Sequence, residues 1–217
     1  MKAAEILARV DHTLLKQTAT WAEIQRICEE AKTYHTATVM VPSCFIARIK
    51  ETYGESVKAA TVVGFPNGNC NTAAKIAETA QALADGAEEI DMVINVGALK
   101  AGETKYVTDE IKALKQLCGE RVLKVIVETC FLTEEEKIAA CKCVTEGGAD
   151  FIKTSTGFGT AGATLEDIKL FKEHIGEGVQ MKAAGGIHTR EEMEAFIEAG
   201  CTRLGASAAV KVLKDEI

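Results

Sequence analysis

The chain has 217 residues, enough for one substantial core and too few for two enzyme domains of ordinary size. Hydrophobic residues make up 47% and charged residues 26%, which excludes a disordered, collagenous or membrane-embedded chain. A formal charge of -7 argues against nucleic acid as a partner, while a few lysines still suffice to hold one small anion.

Short β-branched runs alternate with longer amphipathic segments from end to end, and no Pro/Ser-rich linker interrupts them. Strands are expected at residues 10–13, 38–41, 59–63, 89–94, 122–127, 151–154, 179–183 and 202–204, the first being the weakest pattern. Between them, helical periodicity runs over 72–84, 104–117, 133–144, 165–174 and 190–199. Several of these helices begin at or after Thr with acids nearby, which suits N-capping. Asp85-Gly86-Ala87, Glu146-Gly147-Gly148 and Ala199-Gly200-Cys201 place Gly between a helix and the next strand, where it accepts the left-handed C-cap conformation. Eight such βα units predict one (β/α)8 TIM barrel spanning 1–217 as a single domain, smaller than most of its kind.

Alternate residues of a barrel strand face the interior and the surrounding helices, and the apolar set should face the helices. In the fourth strand Ile90, Met92 and Ile94 share the outer face, so Glu89, Asp91, Val93 and Asn95 point inward. The fifth strand turns Lys124 and Glu128 inward, the sixth Lys153, the seventh Lys182, and the first Asp11 and Thr13. Buried charges are rare unless paired or functional, so a polar lumen calls for an explanation.

Lys153 and Lys182 lie on consecutive strands about 5 Å apart, which brings two ammonium groups together. A neighbouring cation and partial desolvation both lower a lysine pKa, and a neutral amine condenses with a carbonyl to an iminium. Asp91 is placed to move protons. An ordinary buried ion network shifts lysine pKa values too, so parity and spacing alone leave a structural and a catalytic reading open.

Eight cysteines are read as reduced thiols of a cytoplasmic protein, since Glu5 and Arg9 interrupt the apolar stretch a signal peptide needs. No membrane segment is expected. Cys141 and Cys143 are two apart in a helical pattern and point in different directions, and His12, His35, His174 and His188 show no paired spacing with other ligands. No metal and no cofactor is expected, and His174 and His188 are placed on the surface near helix ends. Gly157-Phe-Gly159-Thr-Ala-Gly162 matches the dinucleotide fingerprint between a strand and a helix, but the acid required about twenty residues later is absent and Lys182 stands there instead.

The segment Asp150-Phe-Ile-Lys153-Thr-Ser-Thr-Gly157-Phe resembles the Schiff-base segment of the deoxyribose-phosphate aldolase family. Asp11-His-Thr13-Leu-Leu, Gly64-Phe-Pro-Asn-Gly68, Glu89-Ile-Asp91-Met-Val-Ile-Asn95, Glu128-Thr, Lys182-Ala-Ala-Gly185-Gly186-Ile and Gly205-Ala-Ser207 are similar in the same order, so the resemblance covers nearly the whole chain. It implies reversible cleavage of 2-deoxy-D-ribose 5-phosphate to D-glyceraldehyde 3-phosphate and acetaldehyde. Lys153 would form the imine, Lys182 would tune its pKa, and Asp91 would shuttle protons through a water. Gly157, Gly185, Gly186, Gly205 and Ser207, with Asp11 and Thr13, would bind substrate and its phosphate, because glycine lets backbone amides approach an anion closely. A small phosphosugar is the implied partner, and a homodimer the implied assembly.

The sequence departs from the family pattern in places. Ala208 stands where a second serine is common, Met40 where a cysteine is common, and Ala184 where a serine is frequent. The chain ends Asp215-Glu-Ile217 rather than in the tyrosine-tipped tail of some members, so proton transfer is expected to rest on Asp91 and water. Two rivals follow: a phosphosugar-binding barrel without turnover, and an aldolase of the same chemistry with other acceptors.

Overall fold

Eight parallel strands close on themselves in chain order, with the last returning to the first. They are β1 (Val10–Thr13), β2 (Thr38–Val41), β3 (Ala59–Val63), β4 (Glu89–Val93), β5 (Val122–Ile126), β6 (Phe151–Lys153), β7 (Gln180–Ala184) and β8 (Arg203–Ala206). The computed structural model describes residues 1–217, and the whole chain forms this one (β/α)8 barrel.

Ten helices surround it: α1 (Ala3–Leu7), α2 (Trp21–Tyr34), α3 (Ile46–Tyr53), α4 (Thr72–Ala84), α5 (Val96–Lys100), α6 (Thr104–Cys118), α7 (Glu134–Glu146), α8 (Leu165–His174), α9 (Arg190–Ala199) and α10 (Ala209–Leu213). Thr20, Thr133, Thr164 and Thr189 cap α2, α7, α8 and α9 by accepting a backbone N–H of the first turn. Asn71 does the same for α4.

The expected alternation holds along the strands. Ile90, Met92, Leu123, Val125, Ile152 and Met181 pack outward into one apolar layer shared with the helices. Inside, Met40, Ala60 and Val62 form a separate small apolar wall on β2 and β3, topped by Leu15 and Phe65. The lumen also holds a charged cluster, in which Asp11, Glu89, Asp91, Lys124 and Lys182 are all fully buried.

The place of Asn95 differs from the sequence expectation. β4 stops at Val93, and Asn95 does not face the lumen: its side-chain oxygen accepts Ala98 N–H at 3.0 Å and caps α5. The cap outcompetes another residue of strand because it satisfies a helix donor that otherwise has no partner. In the Glu146-Gly147-Gly148 turn it is Gly148, with φ 74°, that adopts the left-handed conformation. Gly147 is small for another reason, since a Cβ there would lie 2.5 Å from Ile111.

Candidate active site

Register brings the charged residues into two layers. Lys153 is the direct partner of Lys182 across β6 and β7, and Asp91 is the partner of Lys124 across β4 and β5. Asp91 is the hub: one carboxylate oxygen, Oδ1, accepts from Lys124 at 2.7 Å, while Oδ2 accepts from Lys153 at 2.8 Å and Lys182 at 2.7 Å. Lys182 also donates to Asp11, whose other oxygen accepts from Thr38 at 2.8 Å and Arg203 at 2.6 Å. Glu89, two residues before Asp91 on the same face, receives Lys124 at 2.6 Å, Arg203 at 2.8 Å and Lys58 at 2.7 Å.

Within the lumen this network holds four cations, Lys124, Lys153, Lys182 and Arg203, against three carboxylates, Asp11, Glu89 and Asp91. One cation is in surplus. Burial, the largest cause, pushes the Lys153 ammonium down, and Lys182 and Lys124 push it further against the pull of Asp91, to about 8 from an ordinary 10.5. Asp91 does not hold the proton on Lys153 because the same carboxylate already serves two other cations. Burial alone would raise Asp91, yet Lys124, Lys153 and Lys182 together hold it well below the usual carboxylate range. Asp11 is lowered in the same way by Lys124, Lys182 and Arg203 against its burial.

Above this layer opens a cleft of about 300 Å³ at the C-terminal ends of the strands. Lys153 forms its floor. Thr13, Gly157, Gly185, Gly186, Gly205 and Ser207 line it, so the sequence-predicted substrate residues other than Asp11 converge on one place. Asp11, Asp91 and Lys182 lie below it, in contact with one another rather than with the cleft. The backbone N–H groups of Gly185, Gly186 and Ser207 donate to no acceptor of the chain and are free to meet an anion. Thr13 donates its hydroxyl to the Asp11 carbonyl at 2.7 Å, which ties the cleft wall to the charged layer.

The loop after β6 explains the fingerprint-like glycines. A Cβ at Gly162 would lie 2.2 Å from the Gly185 carbonyl oxygen, and Ala163 N–H donates to the Ala184 and Gly185 carbonyls at 3.1 Å each. Gly162 thus lets two cleft loops pack together, while Gly157 is required by its φ of 82°. Thr156, buried in the same loop, gives its hydroxyl and its N–H, the latter at 3.1 Å, to the buried Glu128 carboxylate.

Sequence reasoning passed over several residues. Lys124 and Glu89 were legible as inward charges, but only their three-dimensional pairing makes them part of the network. Arg203 sits in the middle of the shortest expected strand, 202–204, where no alternation could be read. Lys16, Thr156, Phe158 and His188 also line the cleft. His188 is exposed, as expected, but on the cleft rim.

All eight cysteines are unpaired, and burial pushes the thiols of Cys28, Cys141 and Cys201 up to about 12. No three His, Cys, Asp or Glu side chains converge in a metal-binding group. No helix is long and apolar enough to cross a membrane.

A barrel that offers a lysine amine of lowered pKa on the floor of a cleft rimmed by free amides has the parts of a lysine aldolase. The family model described as DeoC/LacD family aldolase matches residues 6–212. The deoxyribose-phosphate aldolase of Clostridium botulinum strain Alaska E43 is 62% identical over 216 residues, covering 100% of this chain and 98% of that protein. The protein of the same name from Streptococcus pyogenes serotype M4 is 50% identical, covering 100% and 97%. The tetrameric deoxyribose phosphate aldolase from Aeropyrum pernix superposes with a TM-score of 0.90 at 27% identity, over 99% of this chain and 92% of that one. The chain belongs to the DeoC/LacD family of aldolases.

Proposed function

We propose that this protein cleaves 2-deoxy-D-ribose 5-phosphate reversibly to D-glyceraldehyde 3-phosphate and acetaldehyde, with Lys153 as the imine-forming residue. The observation that carries this reading is the Lys153 amine, lowered to about 8 on the floor of a cleft whose rim offers unpaired amides.

The neutral amine attacks C1 of the open-chain aldehyde, and loss of water leaves an iminium. The C3 hydroxyl then gives up its proton. Its oxygen electrons form the new carbonyl of glyceraldehyde 3-phosphate, the C2–C3 bond breaks, and that electron pair moves through C2=C1 onto the nitrogen as an enamine. Protonation at C2 and hydrolysis release acetaldehyde and restore the amine. Asp91 touches both Lys153 and Lys182, so it links the reacting nitrogen to a second ammonium and relays protons through a water. Lys182, fully buried beside Lys153, adds to the effect of burial in weakening the amine's hold on its proton. The phosphate dianion is received by the amides of Gly185, Gly186 and Ser207, by the Ser207 hydroxyl and by the open space beside Gly157.

The test is to incubate the protein with acetaldehyde, reduce with borohydride and map the added mass. A stable adduct on Lys153, absent from Lys153→Ala, is expected. Absence of any adduct on folded protein would overturn the mechanism and favour a phosphosugar-binding barrel. Comparing turnover of phosphorylated and plain deoxyribose then decides the acceptor. A homodimer in the cytoplasm is the assembly this reading carries, and light scattering of the purified protein checks the copy number.

A further inference from the structure

We propose that Glu89 is a positioning residue for the reacting amine: from one layer below Asp91 it fixes Lys124, and through Lys124 the charge that Lys153 meets. The inference rests on the imine reading of Lys153 and extends it to the end of the barrel remote from the cleft.

Lys124 is fully buried, and its ammonium is shared between Glu89 at 2.6 Å and Asp91 at 2.7 Å, with Asp11 further off at 3.6 Å. Because Lys124 occupies Oδ1 of Asp91, the oxygen left for Lys153 and Lys182 is Oδ2 alone. The orientation of the hub carboxylate thus follows from where Lys124 is pinned. Glu89 does the pinning from a fully buried position: its Oε2 receives Lys124 and, at 2.8 Å, Arg203, while Lys58 braces the other oxygen, Oε1, at 2.7 Å.

The groups facing Lys153 are Asp91 from β4, Lys124 from β5 and Lys182 from β7. Those facing Glu89 are Lys124 from β5, Arg203 from β8, Asp11 from β1 and Lys58 from the segment before β3. Lys124 is the one residue common to both sets. In a dry lumen an added or removed charge acts over longer distances than it does in water. Three carboxylates against four cations leave one cation in surplus, and Lys153 is the cation whose proton affinity falls. Taking away the Glu89 charge adds a second unit of positive surplus, which drives Lys153 to release its proton at lower pH. Taking away the Lys58 charge, which is partly exposed, acts in the opposite sense and more weakly.

The experiment measures the pH at which half the protein is trapped by acetaldehyde and borohydride on Lys153, together with the pH profile of kcat/KM. Glu89→Gln is expected to move the midpoint down by about half a unit to one unit, and Lys58→Met to move it up by a smaller amount. Glu89→Asp, which keeps the charge, is expected to restore most of the wild-type profile. A merely structural Glu89 predicts lower stability with an unmoved midpoint, and that result overturns the proposal. Should Glu89→Gln not fold, Lys58→Met decides alone: an upward shift supports the proposal and a coincident profile ends it. A wild-type protein that gives no adduct on Lys153 removes the imine reading and this inference together, whereas trapped wild type with unmoved variants removes this inference only.

Discussion

Lys153 and Lys182 stand opposite each other in the register of β6 and β7 and share a single oxygen, Oδ2 of Asp91, at 2.8 and 2.7 Å. Two ammonium groups on one acceptor atom cannot both be well served. Lys182 has a second carboxylate, Asp11, and Lys153 has none, so it is Lys153 whose hold on its proton weakens.

Removal of the Lys153 amine should abolish turnover while leaving the fold nearly intact. Asp91 keeps Lys124 and Lys182 in Lys153→Met, so no carboxylate is stranded and stability should change by no more than ~2 kcal/mol. Activity is expected to fall at least about a thousandfold, as for loss of a covalent nucleophile. Steady-state rates and a thermal melt on the same preparation check both halves.

The pH profile of kcat/KM should rise through about 8 and level off above it, because only the unprotonated Lys153 attacks. In Lys182→Met a neighbouring cation is lost, the amine holds its proton more firmly, and the rising limb moves to higher pH. Activity at neutral pH then falls and is partly recovered in alkaline buffer. This variant leaves Asp11 and Asp91 each short of a partner and should cost about 3 kcal/mol of stability. A Lys182→Met profile that superposes on wild type would exclude this electrostatic role.

Phosphate recognition should be separable from imine chemistry. Ser207→Ala is expected to raise KM for the phosphorylated sugar several-fold, about 1 kcal/mol, with little change for plain deoxyribose. Ala208→Ser adds a hydroxyl next to the same rim and should lower KM for the phosphorylated substrate alone. Parallel changes for both sugars would place these residues outside phosphate binding.

Acid should unfold the protein from its interior. Asp91 and Asp11 have folded pKa values depressed below the unfolded value of about 3.9, so their contribution is complete above that pH and is lost as pH falls below it. Lys153 acts in the other direction: with its folded value lowered to about 8, its burial weighs on stability below that pH and the penalty lifts as pH rises towards 10.5. Melting temperatures taken from pH 2 to 10 should therefore drop steeply below about pH 4 and show no loss on passing through pH 8.

The barrel and its inward lysines were legible because alternation in a parallel strand is a local property, readable from Ile90, Asp91 and Met92 without knowledge of any partner. Pairing is not local. Lys124 and Glu89 showed as inward charges, yet their meeting depends on the register of β4 against β5, which no spacing along the chain encodes. Arg203 lay inside the three-residue expected strand 202–204, and its partners Asp11 and Glu89 come from β1 and β4, which no spacing along the chain encodes. Asn95 was misplaced because a residue that ends a strand and one that caps a helix carry the same polar signature. The Gly157 to Gly162 glycines looked like a nucleotide loop because both need backbone to come close to something, here the neighbouring loop.

The contacts of Asp11 reach across almost the entire chain, to Lys182 and Arg203 on the last two strands, and β8 is hydrogen-bonded back to β1. A ribosome that has delivered the sequence only through β6 has therefore made Lys153 without Lys182 or a closed lumen around it. Such a lysine is solvated, carries an ordinary pKa near 10.4 and is protonated in the cell. Reactivity towards aldehydes arises only when the two ends of the chain meet, which spares the nascent and the unfolded chain from modification at the residue that the finished enzyme needs.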